Sequence, residues 1–142
     1  MADIRGMESK VSGMADKIRV LILEDKETDA DLVEFELMES GLPFTARRTL
    51  NEREFLQACE EFCPDLILSD YDLPQYSGAL ALAEARRRLP GVPFILVTGV
   101  LDGDDDRIIR ILACGADGAV LKSRLDRLMP AVHKALQARR RN

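Results

Sequence analysis

Leu66-Ile67-Leu68-Ser69 runs straight into Asp70-Tyr71-Asp72-Leu73-Pro74, and this abrupt change constrains the fold more than any other stretch. The apolar run is too short for an ordinary helix, and a polar break with a nearby proline closes it. It reads as a buried strand of a parallel sheet. Such strands end at the rim where open α/β sheets bind ligands. Asp70 is then a carboxylate delivered to a functional edge, costly there unless solvated, hydrogen-bonded or metal-bound. Alone, an aspartate after a strand is equally well a turn or helix cap. The rest of the chain decides between these readings.

Three other apolar runs end in matching chemistry. Ile18 to Leu23 ends in Glu24-Asp25, Val92 to Val97 in Thr98-Gly99, and Gly118 to Leu121 in Lys122. Phe44 to Thr49 is more polar and suits a sheet edge. Helical patterns lie between. Thr28-Asp29 is expected to cap the first, with Leu32, Val33, Phe35, Leu37 and Met38 as its apolar face and Gly41 as its stop. Asn51 caps the second, which carries Phe55, Leu56, Cys59 and Phe62 and ends at Pro64. The third begins at Tyr76-Ser77-Gly78, with Leu80, Leu82 and Ala83 inward. The acidic run from Asp102 to Asp106 suits the N-terminus of the fourth, because it complements the helix dipole. The last spans Leu125 to Ala138, with Leu125, Leu128, Met129, Val132 and Leu136 inward, and a basic end at Arg139 to Arg141.

Five βα units with short connections call for an α/β fold: a flavodoxin-like, doubly wound parallel sheet in the order 2-1-3-4-5. One domain is expected over residues 17–142. Residues 1–16 lack periodicity and are expected to be a disordered extension. Hydrophobic residues at 46% and charged residues at 32% fit a soluble globular domain. The net charge of −5 argues against a general nucleic-acid binder. No apolar stretch approaches the ~18 residues of a membrane span, and the N-terminus lacks a signal-peptide pattern, so a cytoplasmic location is expected. Three cysteines, Cys59, Cys63 and Cys114, are an odd count that argues against a disulfide framework, and with only Cys114 and His133 as further soft partners for Cys59 and Cys63 a structural zinc site is not expected. They read as small buried hydrophobes. His133 reads as a helix-surface residue.

In the 2-1-3-4-5 order the switch point lies between strands 1 and 3. One rim then gathers Glu24, Asp25, Asp70, Thr98 and Lys122. Three carboxylates at close range repel one another, and a hard divalent cation resolves this; Mg²⁺ is typically held by one or two carboxylates, waters and a phosphoryl oxygen. Lys122 and Thr98 supply a point charge and a hydroxyl for a phosphoryl group. An aspartate can serve as nucleophile by forming an acyl phosphate.

The sequence resembles the receiver domain of two-component response regulators from about Lys17 to about Arg139. The matching pieces are Val20 to Asp25, Asp65 to Pro74 with Gly78, Phe94 to Gly99, and Gly115-Ala116-Asp117-Gly118 leading to Leu121-Lys122-Ser123. The resemblance implies that Asp70 accepts a phosphoryl group from a phosphohistidine on a histidine kinase or histidine phosphotransfer protein. It implies Mg²⁺ on Asp25, Asp70 and the backbone carbonyl of Asp72, with Glu24 acting through a water. It implies that Thr98 and Lys122 bind phosphoryl oxygens and move the surface formed by helix 4, strand 5 and helix 5. Such a protein is a phosphoprotein of signal transduction and not an enzyme, beyond its own phosphorylation and dephosphorylation.

Three positions depart from the family pattern. Ala119 stands where an aromatic switch residue is usual, Gly99 where alanine is usual, and Ser123 where proline is commoner. They bear on output and leave the phosphoacceptor set intact. The alternatives are a degenerate receiver acting only as a binding module, and a haloacid-dehalogenase-like phosphatase, to whose Asp-x-Asp pair Asp70-Tyr71-Asp72 is similar. That phosphatase pattern follows the first strand, needs no Glu24-Asp25, and requires a substrate cap. With no second domain in view after the last helix, output is expected through protein–protein contact, as a monomer or weak dimer.

Overall fold

The computed structural model describes residues 17–99 and 106–140. The predicted extension over 1–16, residues 102–105 of the acidic run, Arg141 and the side chains of Ile108, Arg139 and Arg140 lie outside what is described. Strands β1 (Ile18–Leu23), β2 (Phe44–Thr49), β3 (Leu66–Ser69), β4 (Phe94–Thr98) and β5 (Gly118–Leu121) alternate with helices α1 (Glu27–Glu39), α2 (Glu52–Glu61), α3 (Gly78–Arg88), α4 (Asp106–Ala113) and α5 (Leu128–Arg140). All five strands join one parallel sheet in the order β2-β1-β3-β4-β5. This is the expected order, with β1 and β3 adjacent at its switch point.

The sheet is covered on both faces, which is why its central strands are continuously apolar. Leu21, Leu23, Ile67, Phe94 and Leu96 pack on one face with Phe55 of α2, Leu82 of α3 and Ile111 of α4. Val20, Ile22, Leu66, Leu68, Ile95 and Val97 pack on the other with Val33 and Leu37 of α1 and Leu128 and Val132 of α5. Register then sets the rim. Leu23 pairs with Ser69, so Glu24 and Asp70 leave the sheet side by side. Thr98 pairs with Leu121, so Lys122 leaves beside Thr98.

Five local expectations are corrected. Lys26, not Thr28-Asp29, occupies the N-cap of α1, with no side-chain cap, and Asp29 falls inside the first turn. On α1 the core face is Ala30, Val33 and Leu37, while Leu32, Phe35 and Met38 are 53%, 55% and 66% exposed. Helical spacing alone cannot separate these stripes, because Leu32, Phe35 and Met38 also repeat every three residues. On α3 the buried residues are Gly78, Ala81, Leu82 and Ala85, with Leu80 and Ala83 facing out. The last helix opens at Leu128 and not at Leu125. Lys122–Arg127 forms a 3₁₀ segment, broken internally at Arg124 (φ −134°, ψ 53°), that precedes it. Of the cysteines only Cys59 is buried; Cys63 and Cys114 are exposed, and all three are free.

Other local readings agree. Asn51 accepts a hydrogen bond from the Glu54 N–H at 2.9 Å and starts α2. Ser77 accepts one from the Leu80 N–H at 3.2 Å and starts α3. His133 is exposed. Ahead of α3, Asp72–Leu73 and Tyr76–Ser77 pair as a short antiparallel rung, turned by Pro74 and Gln75 (φ +59°). Arg86 at the end of α3 donates to the Val92 and Gly115 carbonyls and to Asp117, whose carboxylate also caps the Phe94 N–H. This brace ties the α4–β5 turn to the start of β4.

Candidate functional site

Asp70 ends β3 and is only 7% exposed. Its N–H donates to the Leu23 carbonyl at 2.9 Å, continuing the β1–β3 ladder one step past the strand. Its Oδ1 accepts from the Tyr71 N–H at 2.7 Å. Behind it lies Gly78, where an added Cβ would stand 2.6 Å from the Asp70 carbonyl oxygen. The turn that presents Asp70 therefore packs directly on the first residue of α3.

Lys122 begins the 3₁₀ segment after β5 and returns its ammonium over the rim. Nζ lies 2.6 Å from Glu24 Oε1, 2.8 Å from Asp29 Oδ2 and 3.1 Å from Asp70 Oδ2. Burial works against the ammonium, but Asp29, Glu24 and Asp70 outweigh it and hold its pKa well above the usual lysine range. Glu24 shows the opposite balance. Burial raises its pKa, the contacts to Lys122 and to the Lys26 N–H oppose this only in part, and the charge of Asp70 adds to the rise. Glu24 is thus a carboxylate kept at the rim against its own preference.

Asp70, Asp72, Thr98, Gly99, Lys122, Lys26 and Asp29 line one open cleft of about 320 Å³. Glu24, Asp25 and Asp70 each offer a carboxylate oxygen within 4.8 Å of the others. Opposite ligands of an octahedral Mg²⁺ lie about 4.2 Å apart, given bonds of about 2.1 Å, so small side-chain adjustments let the three share one ion. An all-oxygen, anionic donor set suits a hard divalent cation. The residues present fit the metal.

The structure thus brings Glu24, Asp25, Asp70, Asp72, Thr98 and Lys122 to one rim. Sequence reasoning missed Asp29, which it placed in a cap. The available signal was an acidic residue in the first turn after the Glu24-Asp25 strand end. Its partner lies 93 positions away, and that pairing is invisible in local sequence. Ala119 is partly buried beside the same core as Tyr71, and Ser123 is exposed at the start of the 3₁₀ segment.

The family model for the response regulator receiver domain matches residues 20–133. The chain belongs to this family. Among curated relatives, the receiver is 30% identical to the regulatory protein AtoC of Escherichia coli over 120 residues, covering 84% of this chain and 25% of that protein. It is 36% identical to the polar-differentiation response regulator DivK of Brucella anthropi over 92 residues, covering 63% of this chain and 73% of that protein. It is 28% identical to a protein-glutamate methylesterase/protein-glutamine glutaminase of Rhizobium johnstonii, covering 79% of this chain and 30% of that protein. The receiver thus spans under a third of the methylesterase and of AtoC. Among solved structures, a receiver domain protein from Clostridium thermocellum superposes with a TM-score of 0.76 at 25% identity, covering 87% of this chain and 97% of that one. A CheY-like receiver domain protein from Methanospirillum hungatei shares the fold, with a TM-score of 0.76 at 24% identity over 89% of this chain and 98% of that one. Among the described residues no helix is long and apolar enough to cross a membrane.

Proposed function

We propose that this receiver takes a phosphoryl group on Asp70 from a phosphohistidine, and that the modified cleft signals through protein contact. The observation that carries the reading is the Lys122 ammonium, 3.1 Å from Asp70 in a cleft shared with Thr98. An Asp70 oxygen forms the new P–O bond as the donor's P–N bond breaks. The electron pair leaves with the imidazole nitrogen, which takes a proton from solvent. Lys122 and Thr98 face the transferred oxygens with a positive charge and a hydroxyl, so the chain contributes positioning and charge stabilisation. The residues to hold Mg²⁺ are Glu24, Asp25, Asp70 and the Asp72 backbone carbonyl, and the ion would supply neutralisation of phosphoryl charge. Output through the face of α4, β5 and α5 and a cytoplasmic location belong to the same reading. A histidine kinase or histidine phosphotransfer protein is the matching donor.

Intact mass after incubation with acetyl phosphate and Mg²⁺ tests this. One added phosphate on the wild type and none on Asp70→Asn is expected. No adduct on either, with beryllofluoride also failing to bind, would instead support a receiver used only as a binding module.

A further inference from the structure

The Lys122 ammonium has three N–H bonds, and three carboxylates stand on it. Glu24 at 2.6 Å and Asp70 at 3.1 Å come from strand ends. Asp29 at 2.8 Å comes from the first turn of α1. Modification of Asp70 frees only the donor that Asp70 itself held, so for Lys122 to meet more than one phosphoryl oxygen a second carboxylate, Glu24 or Asp29, must give way. The Glu24 and Asp70 side chains are 5% and 8% exposed, whereas Asp29 is 25% exposed. A carboxylate released into water recovers its hydration, while one released in a buried setting does not. Asp29 also lines the cleft the phosphoryl group would enter. Its negative charge opposes a phosphoryl dianion as well as occupying its lysine.

We infer that Asp29 is a competing occupant of the phosphoryl site: it holds Lys122 in the unmodified protein and yields it to the phosphoryl group, so that modification of Asp70 is felt at the start of α1. This rests on the proposed phosphorylation of Asp70. Asp29 acts through Lys122 and is a positioning residue. The first turn of α1 can register its release because Lys26 supplies no side-chain cap, leaving that turn without a second side-chain anchor at its N-cap.

Beryllofluoride affinity in saturating Mg²⁺ reads this competition without turnover. Asp29→Asn keeps the shape of the side chain and removes its charge. It is expected to bind beryllofluoride roughly two- to fivefold tighter than the wild type, the range for loss of one partly exposed ion pair, with unchanged affinity for Mg²⁺ alone and, without beryllofluoride, a melting temperature no higher than that of the wild type. In the wild type, the backbone amide resonances of Glu27 to Ala30 are expected to shift on beryllofluoride addition, and to shift less in the variant. Equal or weaker binding by Asp29→Asn, with wild-type binding that depends on Asp70, would overturn the competition and leave the phosphoacceptor reading standing. Failure of both proteins to bind would remove both. Wild-type amides that stay still in α1 while beryllofluoride binds would overturn the coupling to that helix.

Discussion

Asp70 and Gly78 touch across the turn that follows β3, and this contact limits how far Asp70 can move. A methyl at position 78 would meet the Asp70 carbonyl oxygen at 2.6 Å, with the Tyr71 Cα and the Leu96 Cδ1 both at 3.1 Å. Two of these three neighbours are backbone and cannot rotate away. Gly78→Ala is expected to cost about 1–3 kcal/mol in denaturant unfolding, as overpacking usually does, and to slow acetyl phosphate labelling by displacing Asp70. Glu24 presents a different tension. Its pKa is raised by burial beyond what Lys122 and the Lys26 N–H offset. A raised acid stabilises the fold relative to its charged form only at low pH. Its cost is absent below the ordinary value of 4.5, where it is protonated folded or unfolded, and grows as pH climbs through the raised value. Glu24→Gln in metal-free buffer should therefore melt higher than the wild type at pH 7, with the gap closing below about pH 4.5. Asp29 and Asp70 remain to pair Lys122 in that variant. A wild type that melts higher at pH 7 would show that the Glu24–Lys122 attraction outweighs the burial of the carboxylate.

At the scale of elements, α1 separates what sequence reveals from what it conceals. The central strands were legible because burial on both faces demands unbroken apolar runs, and each run stops where the backbone reaches the rim. That logic also placed Glu24, Asp70, Thr98 and Lys122 together, since parallel strands bring equivalent ends to one side. Helix α1 was misread because its apolar residues exceed what one face can bury. Leu37 is fully buried between sheet and helix, while Phe35, two positions earlier, is 55% exposed. Periodicity counts apolar residues and does not say which stripe finds a partner. The same blindness hid Asp29, whose role depends on a lysine from the opposite end of the chain. Leu37→Ala is expected to cost about 2–5 kcal/mol through the cavity it leaves, whereas Phe35→Ser should change unfolding by no more than about 0.5 kcal/mol. Comparable losses from both would place Phe35 in the core and contradict its exposure.

For the whole molecule, the rim stores repulsion that ligands can relieve. Glu24, Asp25 and Asp70 converge within 4.8 Å while one ammonium counters them, itself shared with Asp29. The sheet supplies the rigidity that holds these charges together, because Leu23, Ser69 and Val97 are fully or almost fully buried at the strand ends behind them. A divalent cation that binds only the folded chain must stabilise it by mass action, and at ten times its Kd this amounts to about 1.4 kcal/mol. For a domain of this size, that corresponds to a rise in melting temperature of about 3–6 °C. Mg²⁺ should therefore raise the melting temperature of the wild type in a saturable way. Asp25→Asn should lose most of that response, because it removes a donor that lies outside the Lys122 contacts while leaving the ammonium's three partners in place. Glu24→Gln, already relieved of its buried charge, should start higher and gain less. If Asp25→Asn responds to Mg²⁺ as the wild type does, the ion is held elsewhere, and the cleft at Asp70 is a lysine-bridged carboxylate cluster and not a metal centre.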